Sequence, residues 1–222
     1  FPDTYQYNWS ATGNVVPTYS AAVADYHPCV GIHNSLWDLV GKQPIASEAS
    51  KLDESPADLY VNICALQQNV ITPITFISDG TSNTILLGEG SAHPRYMLGR
   101  KDWTDDPARP GNIGTPGNPT ATTPVPYAAP NIGIGMQLSH GGGWGDTTSG
   151  SFHLYGSSYD NLTQPGVCAI NCNNDHNFYS FHDGGANFLF SDGSVRFLPQ
   201  RTPSSIIVDL LTRAYGETTN LP

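Results

Sequence analysis

The chain has 222 residues and a formal charge of −10, from 9 Lys and Arg against 19 Asp and Glu. This shortage of cations excludes an extended nucleic-acid surface, which must displace counterions with clustered Lys and Arg, and argues against docking on anionic lipid. Only 13% of the residues are charged, whereas Gly (23) and Pro (18) abound, a loop-rich, uncharged-polar composition typical of extracellular β-containing proteins.

The length suits one globular domain over residues 1–222. No apolar run reaches the ~18 residues that span a bilayer, and no signal peptide is present. Residues 1–34 read as short β-like pieces: Tyr5 to Trp9, Val15-Val16, and Tyr19 to Val30. Ser35 to Val40 fits one helical turn, with Ser35 as cap and Leu36, Trp37 and Val40 apolar. Ser55-Pro56-Ala57-Asp58 is a helix start signal, and Leu59, Tyr60, Ile63 and Leu66 follow at helical spacing, which predicts a helix over 56–68. Farther on, Ile71 to Glu89 holds an Asp79-Gly80 turn or cap and a strand over Thr84-Ile85-Leu86-Leu87-Gly88. That strand is too apolar on both faces for a sheet edge and belongs inside the sheet.

Residues 104–150 hold ten glycines and seven prolines with almost no apolar periodicity. Such a stretch reads as a long loop pinned to the domain by Trp103, Tyr127, Ile132, Ile134, Met136 and Trp144, and not as a domain boundary. Near the C-terminus, Thr202-Pro203 predicts the start of a helix whose stripe is Ile206, Ile207, Leu210, Leu211 and Ala214, with Gly216 as terminator.

The clearest local signal precedes that helix. Ala186 to Phe190 and Ser194 to Leu198 are apolar-rich runs around Asp192-Gly193, the preferred pair for a two-residue type I′ turn. Centring the turn there pairs Phe190 with Val195 and Phe188 with Phe197. All four then lie on the core face, with Asn187 and Arg196 on the other alongside Leu189 and Leu198. A hairpin this short needs more strands or a helix across its aromatic face.

Candidate sites are few. His182 and Asp192 fall at opposite ends of one strand, and ten residues at ~3.3 Å each put them roughly 30 Å apart. Asp192 is then a turn former, while His182 orders the loop at the hairpin base through hydrogen bonds. The Asn-rich run after Cys168, with Asn171, Asn173, Asp175 and the following Asp183, carries the oxygen density that calcium favours, although it lacks the EF-hand spacing; the alternative is a plain turn held by Asx hydrogen bonds. Four cysteines fit an oxidising compartment. We expect Cys168 to bond Cys172, closing a tight loop, and by elimination Cys29 to bond Cys64; zinc is disfavoured because Cys29 and Cys64 offer no second close pair. Nucleophile elbows, zinc-protease motifs, phosphate loops and dinucleotide fingerprints are absent, and Ser139-His140 and Ser151-Phe152-His153 lie in Gly-rich loop sequence, so no enzyme is expected. No cofactor is expected beyond that calcium.

His182, nine residues, then Asp192-Gly193 resembles the H-x(9)-D-G box of a large bacterial family of prepilin-type secreted proteins of unknown function. Phe76 to Glu89 is similar to that family's second recurrent segment, and His153 to Tyr159, Cys168 to His182 and Thr212 to Glu217 also look like family sequence. Phe1-Pro2 resembles the point where the family's N-terminal helix hands over to the globular part. The resemblance implies an α+β fold of pilin or pseudopilin type: an antiparallel sheet, few helices and long loops. It further implies a structural subunit of a secreted, periplasmic or cell-surface assembly, anchored by an N-terminal helix in the precursor, with that helix and like subunits as partners. The alternative is an extracellular binding module that takes a glycan, peptide or other solute through the aromatic-rich 104–150 loop.

Overall fold

The computed structural model describes residues 2–5, 19–42, 60–61, 64–67, 71–93, 95, 97–103, 152–161 and 163–217. The 104–150 loop, Tyr127 and Trp144 within it, and the proposed helix start at Ser55 lie outside these residues. In chain order the strands are β1 (Pro2–Tyr5), β2 (Tyr19–Ala22), β3 (Tyr26–His27), β4 (Cys29–His33), β5 (Tyr60–Val61), β6 (Ile85–Glu89), β7 (Met97–Leu98), β8 (Lys101–Asp102), β9 (Phe152–Leu154), β10 (Gly185–Phe190) and β11 (Val195–Pro199). Among the described residues two α-helices accompany them, α1 (Asn34–Leu39) and α2 (Ser204–Leu211), so the fold is α+β with few helices. No helix among the described residues is long and apolar enough to cross a membrane.

The largest sheet runs β11-β10-β6-β3 and is antiparallel throughout. β6 is an interior strand, as its two-sided apolar sequence requires. A second sheet, β5-β4-β9, contains a parallel β4–β9 pair, and β1–β2 and β7–β8 form two small ribbons. The predicted helix over 56–68 does not survive at its described positions, because Tyr60 and Val61 pair with His33 and Ile32 as β5. Aromatic and β-branched residues carry strand propensity, and pairing with the buried strand β4 overrides a helical spacing of a few residues.

Between the two larger sheets lies a core of Ile32, Leu36, Trp37, Ile85, Leu154, Ile170, Phe178, Phe188 and Phe190, closed by Ile207, Val208, Leu210 and Leu211 of α2. α2 buries the stripe its sequence predicts, with Val208 added, while Ile206 is only partly buried and Ala214 lies past the helix end. Its C-terminal side is tied down by charge. Lys42 pairs with Asp209 and, at 3.0 Å, with Glu217. The Asp79 carboxylate accepts the backbone N–H groups of Tyr215 and Gly216, each at 2.7 Å. Helix α1 is capped by His33 and not by Ser35: the His33 Nδ1 accepts the Ser35 N–H at 3.2 Å. Burial pushes the His33 imidazole down, which keeps it neutral and able to accept there.

The hairpin forms where expected but in a different register. Phe188 pairs with Arg196, Asn187 with Phe197 and Leu189 with Val195. The Gly193 N–H donates to the Phe190 carbonyl (2.9 Å) and the Phe190 N–H to the Ser194 carbonyl (2.8 Å), so the loop is Ser191-Asp192-Gly193, three residues long. Gly193 alone of the three has positive φ, at 86°, the pattern of a type I turn closed by a left-handed glycine. One added loop residue flips every side chain of the second strand to the other face. Phe188 and Phe190 stay in the core, but Val195 and Phe197 are exposed (65% and 46%), Leu198 moves inside, and the Arg196 guanidinium lies 4.3 Å over the Phe190 ring. A Cβ at Gly193 would meet nothing within 4 Å, so Gly193→Val tests the backbone alone. Its expected cost is about 1–3 kcal/mol in chemical denaturation, and an unchanged midpoint would contradict the positive φ.

Candidate functional site

The Asn-rich run is the first place to look, and it is interior: every residue from Cys168 to Ser180 is buried. With little regular secondary structure to satisfy its backbone, this segment uses side-chain amides as substitutes. Asn171 accepts from the Ser180 N–H (2.7 Å) and donates to the Gly185 carbonyl (3.0 Å), joining the segment to the hairpin base. The Asn173 oxygen accepts from the Asp175 N–H (3.1 Å) and from Asn177 (2.6 Å). Asn174 holds Met97 and Arg95 backbone groups at 2.9 and 2.7 Å. Cys168 and Cys172 form the expected disulfide at the start of this run.

Cys29 and Cys64 do not pair with each other. Both are buried thiols in the main core, and the Cys29 thiol donates to the Gly31 carbonyl at 3.1 Å. An even count of cysteines favours that pairing, but a disulfide requires matched Cα spacing and Cβ directions. Of the four residues considered for calcium, Asn171, Asn173 and Asp175 share the buried segment, with the two Asn oxygens engaged internally. Asp183 lies apart on an exposed turn, 3.2 Å from Arg100. Among the described residues no group of three His, Cys, Asp or Glu is placed to hold a metal.

His182 and Asp192 separate as their spacing requires. Asp192 sits at the exposed tip, where its carboxylate accepts the Ser194 hydroxyl (2.6 Å) and N–H (2.8 Å), and these hydrogen bonds hold its carboxyl below the ordinary range. His182 stands at the hairpin base. Its N–H donates to the Ser180 hydroxyl (3.1 Å), its carbonyl accepts from Arg100 (2.7 Å), and its Nε2 lies 3.2 Å from Glu89.

Glu89 is the centre that the sequence did not single out. It closes β6, pairs across the sheet with Tyr26, and is only 4% exposed although it faces away from the main core. Its carboxylate accepts the Asn187 N–H (2.6 Å), the Asn187 amide (3.3 Å) and the Tyr26 hydroxyl (3.1 Å), with the His182 imidazole alongside. Burial by itself would raise this carboxyl, but hydrogen bonds from the Asn187 backbone, Ser180, the Asn187 amide and Tyr26 outweigh it and hold Glu89 below the usual carboxylate range. Conversely, burial, then the bond to Glu89 and its charge, push the Tyr26 phenol up. A buried anion with this many donors is a fastener: it locks three strands and the hairpin base around one charge. The sequence signal is that Phe76 to Glu89 and His182 to Gly193 are two of the segments resembling one family, and Glu89 and His182 are where they touch.

Fold and site together define a mixed α+β protein built on an antiparallel sheet, with a long asparagine-stapled segment and a carboxylate-centred junction at the hairpin base. The chain belongs to the family of proteins of unknown function described as DUF1559 (SBP_bac_10), whose model matches residues 64–205. No curated protein and no solved structure matches it.

Proposed function

We propose that the chain is the globular part of a pilin-like subunit in an extracellular or cell-surface, secretion-linked assembly, and that it acts by packing and not by catalysis. The observation that carries this reading is the outer face of the β11-β10-β6-β3 sheet. There Leu87, Leu189 and Val195 are cross-strand neighbours in one row. Phe197 stands one row along, beside Asn187. Val195 and Phe197 are exposed, and β11 ends the sheet. Outward apolar side chains on an edge strand mark an association surface. The partners that fit are like subunits and an apolar N-terminal helix carried by the precursor, which would also anchor the protein at the cell surface; the resemblance of the His182–Gly193 and Phe76–Glu89 segments to prepilin-type proteins supports both.

The test uses the full-length precursor in its own host. Val195→Asp and Phe197→Asp are expected to cost no more than about 1 kcal/mol of folding stability each, because the sites are exposed, while removing the protein from the assembled fraction sheared from cells. A wild-type precursor that never enters such a fraction, or variants that enter it normally, would overturn the reading.

A further inference from the structure

A cleft of about 600 Å³ opens between the turn at Tyr159 and the base of the hairpin, lined by Tyr159, Gly184, Pro199, Gln200 and Arg201. We propose that it binds an acidic saccharide, a uronate-containing glycan whose pyranose ring stacks on Tyr159 and whose carboxylate pairs with Arg201. This site does not depend on the assembly reading: Val195, at the far end of β11 from Pro199, does not line the cleft.

The charge inventory points to Arg201. Seven of the nine Lys and Arg residues are described, and six of the seven are engaged. Lys42 pairs with Asp209 and Glu217, Arg95 with Asp102 and Arg100 with Asp183. Lys101 lies over Trp103, Arg196 over Phe190, and Arg213 donates to the Cys64 carbonyl. Arg201 alone has no partner among the described residues, and it is exposed at the cleft. In a chain of charge −10, an uncommitted guanidinium beside a concave surface suits an anionic ligand, and its planar fork favours a carboxylate.

The remaining lining decides the kind of anion. Tyr159 is 56% exposed and lines the cleft, so one side of it stays open to a ligand. Together with Gly184 and Pro199 it offers an apolar wall for the C–H face of a sugar ring, while the Gln200 amide can serve hydroxyl groups as donor and acceptor. An acidic peptide would satisfy Arg201 equally but leaves that wall unused.

Both walls are held before any ligand arrives. The Tyr159 turn is closed by the Ser158 N–H on the Thr163 carbonyl (2.7 Å), and the Asp160 carboxylate is occupied by the Thr163 N–H (2.9 Å) and hydroxyl (2.6 Å). On the other side the Gln200 N–H donates to the Gly184 carbonyl (2.7 Å) and the Thr202 N–H to the Pro199 carbonyl (2.9 Å). Walls fixed in this way lower the ordering cost of binding.

The experiment titrates the folded chain with a short oligogalacturonate, the neutral galactan oligomer of equal length, and a glutamate-rich peptide, read by calorimetry and amide chemical shifts. Expected is binding of the uronate oligomer that weakens with added salt. Arg201→Gln and Tyr159→Ala should each lower its affinity by roughly ten- to a hundredfold, and Arg201→Lys should recover part of the loss. Shifts should centre on Gly184, Gln200 and Arg201, and the Val195→Asp variant should bind as wild type does. Equal affinity for the neutral oligomer, preference for the peptide, indifference to Arg201→Gln, or no uronate binding at millimolar concentration would each overturn the proposal. Arg201 and Tyr159 are exposed, so unchanged circular dichroism of the variants confirms that loss of binding is not loss of fold.

Discussion

Replacing Phe188 by alanine is expected to lower the folding stability by about 3–5 kcal/mol, and Phe190→Ala by a similar amount, whereas Phe197→Ala should cost less than about 1 kcal/mol. The contrast follows from the register. Phe188 is fully buried, its ring set edge-on against Phe178 at a centroid distance of 4.8 Å. On the neighbouring strand its partner is Gly88, where even a Cβ would collide with the rings of Phe178 and Phe188. Deleting either core ring leaves a cavity that a site walled by an interior strand, the disulfide-bearing segment and α2 cannot collapse to fill. Phe197, one strand over and pointing outward, covers the backbone at Gly185 but leaves no enclosed cavity when truncated. Denaturant midpoints at constant slope measure all three. Equal losses at Phe188 and Phe197 would restore the two-residue turn and reject the observed pairing. The expected loss at Phe188 is a large part of the 5–15 kcal/mol that holds a typical domain together.

The second large effect is expected at Glu89. Glu89→Gln removes a buried charge from among several donors and replaces one of its oxygens by a donating amide. A loss of about 1–3 kcal/mol at neutral pH should follow. The effect has a pH signature. The folded carboxyl sits below its ordinary value of 4.5, so its stabilisation is fully present above that value and disappears as pH falls through the folded value. Wild-type stability should therefore drop across the acid range below about pH 4.5, and the gap between wild type and Glu89→Gln should narrow over the same interval. Thermal melts of both proteins across the acid range read this directly. A gap that stays constant with pH would mean that shape, and not the carboxylate's charge, is what the junction requires.

Much of the chain could be read from its residues because the signals are local. The two-sided apolar run at Ile85 to Gly88 demanded an interior strand, the Ile207–Leu211 stripe demanded a helix on a core, and a four-residue separation let Cys168 and Cys172 reach each other. Asp192-Gly193 required a reversal at that point. What these two residues could not specify was whether the loop held two residues or three. Asp-Gly closes a type I′ turn, and Ser-Asp-Gly equally closes a type I turn with a left-handed third residue. The choice fell to the neighbours, because the three-residue loop places Leu198 in the core and brings Arg196 over Phe190.

The remaining disagreements have the same origin. Tyr60 and Val61 joined β4 because an unpaired buried strand needs hydrogen-bond partners more than a short stretch needs its helical spacing. The Asn-rich run reads as surface oxygen for a cation until the fold buries it and turns each amide inward to serve the backbone. Glu89 and His182, 93 positions apart by their numbering, met only when β6 and β10 paired. Composition, periodicity and turn chemistry are properties of short stretches, and they set an element where no distant partner competes for it, as at β6 and α2 but not at Tyr60 and Val61. Register, the fate of Cys29 and Cys64, and the carboxylate junction depend on which distant groups must be buried together, and that was decided by the tertiary structure alone.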